Sequence, residues 1–333
     1  LMASELIYIN KTNLYKELDA LQDGEFFALA DQRIKNHLPA WIQFSPNVFW
    51  VSDPEEQKNL STYENALEFF LKLGIHRKAM LYVFGGGATT DLGGFVAATI
   101  LRGVNWNAVP TTLLAMVDGS LGGKVAVNTP SGKNLVGAFC EPAKIYLCTE
   151  FLTTLDEVNW QSGKGEILKY ALLSNSIAEL VLKKADISKI VEACAHYKMD
   201  IVARDLREEG ERIQLNLGHT LGHAFETTLG IPHGLAVAMG MKYLFEVLDL
   251  ADALESWKKI FIALELPQDK LVLSAYPGLD KKKFFEHLQY DKKRVRETLR
   301  LVLVDPPGKF KVQEMTFTEL KTRINRHADF ADR

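Results

Sequence analysis

Residues 80–91, MLYVFGGGATTD, decide the fold of the first half of the chain. Residues 80–84 form a short apolar run typical of a buried strand, and residues 91–101 have the composition of a buried helix. The glycines between them let the backbone approach a pyrophosphate closely, and the start of a helix offers free N–H groups. The motif is not GxGxxG, so the standard Rossmann fingerprint is absent, and a tight strand-to-helix turn is the alternative interpretation.

The same alternation of apolar runs and helical periodicity continues on both sides of this motif. Residues 60–74 have the spacing of an amphipathic helix that ends at Gly74. Further strands are predicted at residues 48–51, 108–109 and 145–147. This β-α-β-α order favours a parallel sheet covered by helices, with any ligand at the carboxyl ends of its strands.

The second half of the chain has a different pattern. From residue 151 to about residue 266 the periodicity is almost wholly helical. A late apolar run at 299–304 and a second run at 310–312 flank Asp305-Pro306-Pro307-Gly308, which predicts a small hairpin. We therefore predict an α/β domain with a parallel sheet at residues 1–152 and a helical domain at residues 153–333.

Composition narrows the classes of function. The 333 residues carry 39 basic and 42 acidic side chains, and this net charge of −3 argues against a nucleic-acid partner. A hydrophobic share of 47% excludes disorder, collagen and disulfide scaffolds. The three cysteines make no CxxC pair, and we find neither a signal peptide nor an apolar run of the ~20 residues that span a bilayer. We therefore expect a cytoplasmic protein without a membrane partner.

Two glycine-rich segments carry cations suited to an anionic small molecule. Residues 117–124 read VDGSLGGK, and Gly132-Lys133-Asn134 follows shortly after. Lysine serves as a point charge for phosphate, although two solvated surface loops have the same composition. A third segment, GKGEILK at residues 163–169, places Glu166 and Lys169 at i,i+3, and the ordinary expectation there is a surface ion pair.

A polar stripe within residues 212–223 is the strongest single signal. Its members follow spacings of 4, 3 and 4 that share one helix face, and they are Arg212, Asn216, His219 and His223. Gly218 and Gly222 each cost about 1 kcal/mol in a helix interior, so close approach of a ligand or of another backbone must compensate.

These histidines suggest a metal site. His219 and His223 lie at i,i+4, and His233 follows Pro232 ten residues later. Three histidines and a carboxylate are the usual ligands of zinc. Spacing alone leaves open whether His219 or His223 is the ligand, because either one can instead serve in acid–base work.

Taken together, these blocks resemble the 3-dehydroquinate synthase family. The resemblance extends from about Asp53 to Val304, and its blocks LNLGHT-x-GHA-x-E and VPTTLLA-x-VD-x-S-x-GGK are highly specific together. It implies an N-terminal α/β domain that binds NAD and a helical C-terminal domain that binds a divalent metal, zinc or cobalt. It also implies that Glu166, His219 and His233 are the metal ligands, whereas His223 contacts substrate.

The resemblance further implies two sets of binding residues. The substrate set is Asp118, Lys124, Asn134, Lys169, Lys198, Arg212, Asn216, His223 and Lys292, with Arg102 reaching the substrate phosphate across the interface of a homodimer. The NAD set is Asp53, Glu55 and Lys58 near the adenosine, Gly86, Gly87 and Asp91 at the pyrophosphate, and Thr111, Thr112, Lys124, Lys133 and Phe151 to Thr154 around them. On composition alone, the run around Lys292 is an ordinary solvated charge cluster.

Several positions depart from the family pattern. Leu235 stands where a glutamate usually follows the His-Gly of the third ligand, and Glu211 replaces a usual leucine. Residues 88–90 read Ala-Thr-Thr in place of two apolar residues and a glycine, and Gly119 stands where serine is common. Groups that hydrogen-bond to metal ligands orient and tune them, so Leu235 bears directly on how the metal is supported.

The implied reaction converts 3-deoxy-D-arabino-heptulosonate 7-phosphate to 3-dehydroquinate and phosphate. It proceeds through transient oxidation by NAD, phosphate elimination, reduction and aldol closure. Three alternatives remain: a sister cyclase with an amino analogue or sedoheptulose 7-phosphate as substrate, an iron-type alcohol dehydrogenase, and a non-catalytic metabolite-binding relative. A carboxylate clamp of Arg212 and Asn216 argues against sedoheptulose 7-phosphate, and phosphate-directed Lys124 and Asn134 argue against the dehydrogenase.

Overall fold

The structure, a computed structural model, describes residues 4–22, 25–290 and 298–331. The chain divides into two compact units, Leu1–Asp156 and Glu157–Arg333. The strands of the first unit are β1 Glu5–Tyr8, β2 Phe27–Asp31, β3 Val48–Val51, β4 Met80–Gly85, β5 Asn105–Pro110, β6 Lys124–Thr129, β7 Gly132–Phe139 and β8 Lys144–Leu147. Its helices are α1 Lys11–Asp19, α2 Ala40–Gln43, α3 Pro54–Gln57, α4 Leu60–Lys72 and α5 Gly87–Thr99.

Six of these strands form a parallel sheet in the order β1-β8-β5-β4-β2-β3. Its centre is apolar on both faces, since Leu29 and Val83 on one face and Phe84 and Val109 on the other are fully buried. Burial on both faces is what a parallel sheet between helices requires. The prediction of an α/β domain with a parallel sheet is confirmed, and β1 and β2 are sheet members that the sequence analysis did not identify.

The predicted strand–glycine–helix unit is present, with one shift. Helix α5 begins at Gly87, with Gly86 as its N-cap, so Asp91 lies one turn inside the helix rather than at its start. The helix ends at Thr99 and continues as a short 3-10 turn, Ile100–Arg102. Helix α4 ends at Lys72, two residues before the predicted Gly74, which follows the C-cap residue Leu73 and adopts φ +79°.

The lysine-bearing segments are not two loops. Strands β6 and β7 pair in an antiparallel hairpin, in which Lys124 lies opposite Phe139. Lys133 and Asn134 belong to β7, and Asp118 lies in the π-helical turn Ala115–Gly119 before the hairpin. The alternative interpretation was that both segments are solvated surface loops. The side chains of Lys124 and Lys133 are indeed exposed, but the backbone of both residues belongs to the hairpin.

The described part of the second unit is helical apart from one hairpin. Its helices are α6 Glu157–Leu173, α7 Asn175–Leu182, α8 Ile187–Arg204, α9 His219–Leu229, α10 His233–Val247, α11 Ala251–Ala263, α12 Lys281–Tyr290, α13 Phe317–Arg326 and α14 Ala328–Ala331. The predicted hairpin is β9 Thr298–Val304 paired antiparallel with β10 Phe310–Thr316. Helix α10 is buried along nearly its whole length and packs against α6 and α9. In the described residues, no helix combines the length and apolar character needed to cross a bilayer.

Candidate functional site

Three helices of the second unit bring one carboxylate and two imidazoles together. Glu166 lies in the middle of α6, and His219 and His233 are the first residues of α9 and α10. Glu166 Oε1 lies 3.1 Å from His233 Nε2 and 3.6 Å from His219 Nε2. One ligand atom from each of the three residues lies within 4.8 Å of the others, which is the spacing of ligands around one ion.

Close backbone contact between α6 and α10 sets this geometry. A Cβ added at Gly165 would lie 2.0 Å from the carbonyl oxygen of Gly234, and one added at Gly234 would lie 1.7 Å from the carbonyl oxygen of Ser162. Only glycine fits at either position. Because Glu166 follows Gly165 and His233 precedes Gly234, the same contact brings the two side chains together.

The polar stripe predicted along one helix is interrupted. Arg212 and Asn216 lie in a 3-10 helix, Glu211–Asn216, and Gly218 with φ +79° separates this helix from α9. Gly218 is therefore outside the helix interior, contrary to the prediction. Gly222 is inside α9, where its added Cβ would lie 3.1 Å from the carbonyl oxygen of Ala236 in α10. The close approach of the α10 backbone, one of the two explanations predicted from the sequence, therefore accounts for the glycine at position 222.

The surroundings of His219 and His233 shift the pKa values of the two imidazoles in opposite directions. The pKa of His219 is lowered to about 3, chiefly by burial and also by Lys169 and the other two histidines, against the attraction of Glu166. His219 is therefore neutral at physiological pH, and its lone pair is available to a metal. Burial also lowers the pKa of His233, but hydrogen bonds with Glu166 and Glu226 outweigh this effect and raise it to about 10.

The pair of Glu166 and Lys169 corrects the sequence-based expectation of a surface ion pair. Lys169 Nζ lies 2.5 Å from Glu166 Oε2, and neither side chain is more than 1% exposed. The two residues are i,i+3 neighbours on α6 as predicted, but this helix is buried on nearly all sides over its second half. A charged pair in this position is costly unless its groups find ligands or partners, which is typical of a functional site.

The donor set fits a divalent metal. Two imidazole nitrogens and one carboxylate oxygen are the three protein ligands of many catalytic zinc sites, which keep a further position for substrate or water. His223 lies beside this set, with its ring centroid 5.3 Å from that of His219 and 6.0 Å from that of His233. A second possible group, His223, Glu226 and His233, overlaps the first. Glu226 received no role from the sequence, although it lies seven residues after His219 on the same helix face.

The predicted carboxylate-binding residues lie in the same unit. Arg212 is buried, its Nη1 donates to the carbonyl oxygen of Leu206 at 2.6 Å, and its backbone N–H donates to Asp205. The side-chain amide of Asn216 donates to Glu208. Lys198 is buried on α8. These contacts hold the loop before the 3-10 helix in one conformation.

In the first unit, Lys58 connects two of the predicted sets. Its Nζ lies 2.8 Å from Asp91 Oδ2 and 2.8 Å from Asn134 Oδ1, and its side chain is buried. Asp91 belongs to the predicted pyrophosphate region and Asn134 to the predicted substrate region. Lys58 therefore holds a residue of each set, a role beyond the adenosine contact that the resemblance implies.

The glycine-rich segments also meet. A Cβ at Gly119 would lie 3.4 Å from Gly87 Cα, and one at Gly86 would lie 3.0 Å from Thr112 Cγ2. Asp91 and Lys124 line one small crevice. The segments predicted to bind phosphates are therefore neighbours within this unit.

The remaining predicted residues of the first unit occupy varied positions. Asp53 caps α3, and Glu55 lies 3.6 Å from Lys133 with both side chains exposed. Thr111 is buried at the end of β5, and Thr154 donates to the carbonyl oxygen of Phe151. Phe151 is fully buried. Arg102 is exposed and adopts φ +68°. Lys292 lies outside the described residues.

Comparisons with known proteins identify the family of this chain. The family models for the N-terminal and C-terminal parts of 3-dehydroquinate synthase match residues 48–162 and 163–294. The chain belongs to the 3-dehydroquinate synthase family. A 3-dehydroquinate synthase of Shouchella clausii is 37% identical over 88% of this chain and 86% of its own. One of Xylella fastidiosa is 40% identical over 77% of this chain and 74% of its own.

Solved structures extend the comparison. A 2-deoxy-scyllo-inosose synthase complexed with carbaglucose-6-phosphate, NAD+ and Co2+ has a TM-score of 0.80 at 25% identity, covering 96% of this chain and 95% of its own. A 2-epi-5-epi-valiolone synthase of Streptomyces hygroscopicus with bound NAD+ and Zn2+ has a TM-score of 0.82 at 19% identity, over 97% and 96% of the two chains. The second likeness shows the fold alone.

The structure shows where Leu235, one departure from the 3-dehydroquinate synthase family pattern, lies relative to His233. Leu235 is 2% exposed within α10, two residues after His233. Two residues correspond to about 200° around a helix, so this side chain points away from the imidazole. Support for His233 therefore has to come from another element of this unit.

Proposed function

We propose that this chain is a 3-dehydroquinate synthase, which converts 3-deoxy-D-arabino-heptulosonate 7-phosphate to 3-dehydroquinate and phosphate. The observation that carries the proposal is the convergence of Glu166, His219 and His233 in a chain 37% identical to a relative of that name. We propose residues 1–152 as the NAD-binding domain and residues 153–333 as the metal- and substrate-binding domain. The protein is proposed to act in the cytoplasm as a homodimer.

The bound groups supply the chemistry that side chains lack. When bound, a zinc or cobalt ion polarises substrate oxygens, and NAD accepts one hydride and later returns it. Glu166, His219 and His233 hold the ion. The neutral state of His219 suits this role, since its nitrogen lone pair needs no deprotonation at neutral pH.

Cationic side chains bind and orient the substrate. A dianionic phosphate and a carboxylate enter together, so a chain of net charge −3 needs a local excess of cations for them. Arg212 and Lys198 bind the carboxylate, and Lys124 and Lys292 bind the phosphate, with Arg102 from a second subunit. Arg212 is buried and its Nη1 donates to the carbonyl oxygen of Leu206, so the guanidinium group keeps a fixed direction for contact with a carboxylate.

The remaining polar residues position the sugar. Lys169 lies against Glu166 and fixes that carboxylate. Asn216 and His223 contact substrate hydroxyls beside the imidazoles, and Asp118 and Asn134 do so in the first unit. Lys58 keeps Asn134 oriented through a 2.8 Å hydrogen bond.

The test is direct assay of the purified protein loaded with zinc or cobalt and supplied with NAD. With the heptulosonate phosphate, we expect inorganic phosphate and 3-dehydroquinate in equal amounts, and no net accumulation of NADH. A matched reaction with His233→Ala is expected to show neither product. Net NADH formation from a simple alcohol, or tight binding of the substrate without phosphate release, would reject the proposal.

A sister cyclase activity is the second candidate, favoured by the likeness to 2-deoxy-scyllo-inosose synthase at a TM-score of 0.80. A hexose 6-phosphate lacks the carboxylate that Arg212 is proposed to bind. The heptulosonate should therefore be the preferred substrate, and Arg212→Met should reduce turnover of the heptulosonate. Faster turnover of the hexose phosphate by the unmodified protein would instead support the second candidate.

A further inference from the structure

The imidazole of His233 lies between two carboxylates from different helices. Its Nε2 lies 3.1 Å from Glu166 Oε1, and its Nδ1 lies 2.9 Å from Glu226 Oε2. The first nitrogen therefore faces Glu166, a candidate metal ligand, and the second faces Glu226, which is not one of the three candidate ligands. This places Glu226 directly behind a metal ligand.

An imidazole can ligate a metal through one nitrogen only while that nitrogen has a free lone pair. The proton must then sit on the other nitrogen, and a carboxylate that accepts this proton in a hydrogen bond fixes both the tautomer and the ring orientation. Without such a partner, the ring of His233 is able to rotate and to present either nitrogen.

The position of Glu226 on α9 and the short connection to α10 place its carboxylate beside His233. Glu226 lies seven residues after His219, almost two full turns, so the ligand and the carboxylate share one face of α9. The helix ends at Gly230 with φ +65°, and Ile231 and Pro232 lead directly to His233 at the start of α10. Helix α9 therefore carries one metal ligand and the group that touches another.

We propose that Glu226 is a positioning residue for the metal centre, which holds His233 so that its Nε2 faces the ion. This inference rests on the proposed metal centre and deepens it. It also explains how this chain tolerates Leu235, because the supporting carboxylate comes from α9 and not from the position two residues after the ligand.

The test measures zinc binding by metal-free protein, in competition with a chelating dye, in the absence of NAD and substrate. Glu226→Ala should bind one zinc per chain about 10- to 100-fold more weakly than the unmodified protein. Glu226→Gln keeps an acceptor oxygen without the charge, so its affinity should lie between the two. The visible spectrum of the cobalt form should change in Glu226→Ala, because the orientation of one imidazole ligand is released.

The matched control is Glu246→Gln. Glu246 is as exposed as Glu226, each at 20%, and it also contacts a histidine, with Oε2 3.2 Å from His327 Nε2. His327 is not among the candidate metal ligands, so this variant should bind zinc as the unmodified protein does. Melting temperatures of the metal-free variants show whether weaker zinc binding results from loss of folding or from loss of His233 positioning. If Glu226→Ala does not fold, the zinc affinity of Glu226→Gln is the test of the inference.

Two results would overturn the inference. One is a folded Glu226→Ala or Glu226→Gln variant with unchanged zinc affinity and an unchanged cobalt spectrum. The other is two ions per unmodified chain and one per Glu226→Ala chain, which would make Glu226 a direct ligand in the group with His223. Neither result depends on cyclase activity, so failure of the proposed function would be seen separately in the phosphate-release assay.

Discussion

Replacement of Gly165 by alanine is the sharpest perturbation that the structure offers. The new Cβ would lie 2.0 Å from the carbonyl oxygen of Gly234, whereas ordinary contact begins at 3.4 Å. The two backbones would therefore have to separate by about 1.4 Å. A carbonyl oxygen of a buried helix cannot rotate away as a flexible side chain can, so the helices themselves must move.

Two opposing energies decide the outcome. Alanine favours a helix interior over glycine by about 1 kcal/mol. Overpacking a well-packed core costs about 1–3 kcal/mol, and a backbone-to-backbone clash belongs at the upper end. We therefore expect Gly165→Ala to lower the free energy of unfolding by about 2 kcal/mol. Zinc affinity should be affected more strongly than stability. Metal–ligand distances tolerate shifts of only about 0.2 Å, and the candidate ligand Glu166 directly follows Gly165 in sequence.

The assay combines urea unfolding of the metal-free protein with zinc titration against a chelating dye. Gly278→Ala is the control, since a Cβ there meets nothing within 4 Å and the backbone is not left-handed. That variant should match the unmodified protein in both measurements. A Gly165→Ala protein that is more stable than the parent, and that binds zinc equally well, would refute the reasoning from the contact between α6 and α10.

Three further predictions concern the first unit. Lys124→Ala should weaken substrate binding and slow turnover; unchanged steady-state kinetics would contradict the assignment. Lys58→Met leaves Asp91 and Asn134 without their shared partner, so urea unfolding should show a loss of about 1–3 kcal/mol. Burial raises the pKa of the Cys148 thiol to about 11, so the folded state retains a proton that the unfolded state releases above pH 9. Stability should therefore fall between pH 9 and 11, by up to about 1.4 kcal/mol per pH unit from this group, and Cys148→Ala should reduce the slope of melting temperature against pH.

The architecture was predictable where local signals were strong. The strand, glycines and helix at residues 80–99 form one supersecondary unit, and its periodicity changes at the glycines. Strand β1 gave no such signal, because only four residues, Glu5–Tyr8, add to the sheet edge beside β8. Its place depends on pairing with residues 139 positions away, and no local pattern contains that information.

The site was predictable in its residue types and less so in its surroundings. Spacing identified His219, His223 and His233 as a group, but left open which of the first two is a ligand. The distance of 3.6 Å from Glu166 Oε1 to His219 Nε2 favours His219. The i,i+3 pattern of Glu166 and Lys169 has the same form on a surface helix and on a buried one. Only the packing of α6 against α10 shows that the pair is buried.

The three candidate ligands share one feature that spacing rules overlook, since each adjoins a glycine in sequence. These neighbours are Gly165, Gly218 and Gly234. Gly165 and Gly234 place α6 and α10 in backbone contact, and a Cβ at Gly218 would lie 2.7 Å from the carbonyl oxygen of Val237 in α10. Backbone contacts fix Cα positions more closely than long side chains do, because they allow no alternative rotamers. The candidate metal ligands are therefore positioned by glycine contacts around α10, and larger residues at those three positions should disturb metal binding even though none of the glycines offers a ligand atom.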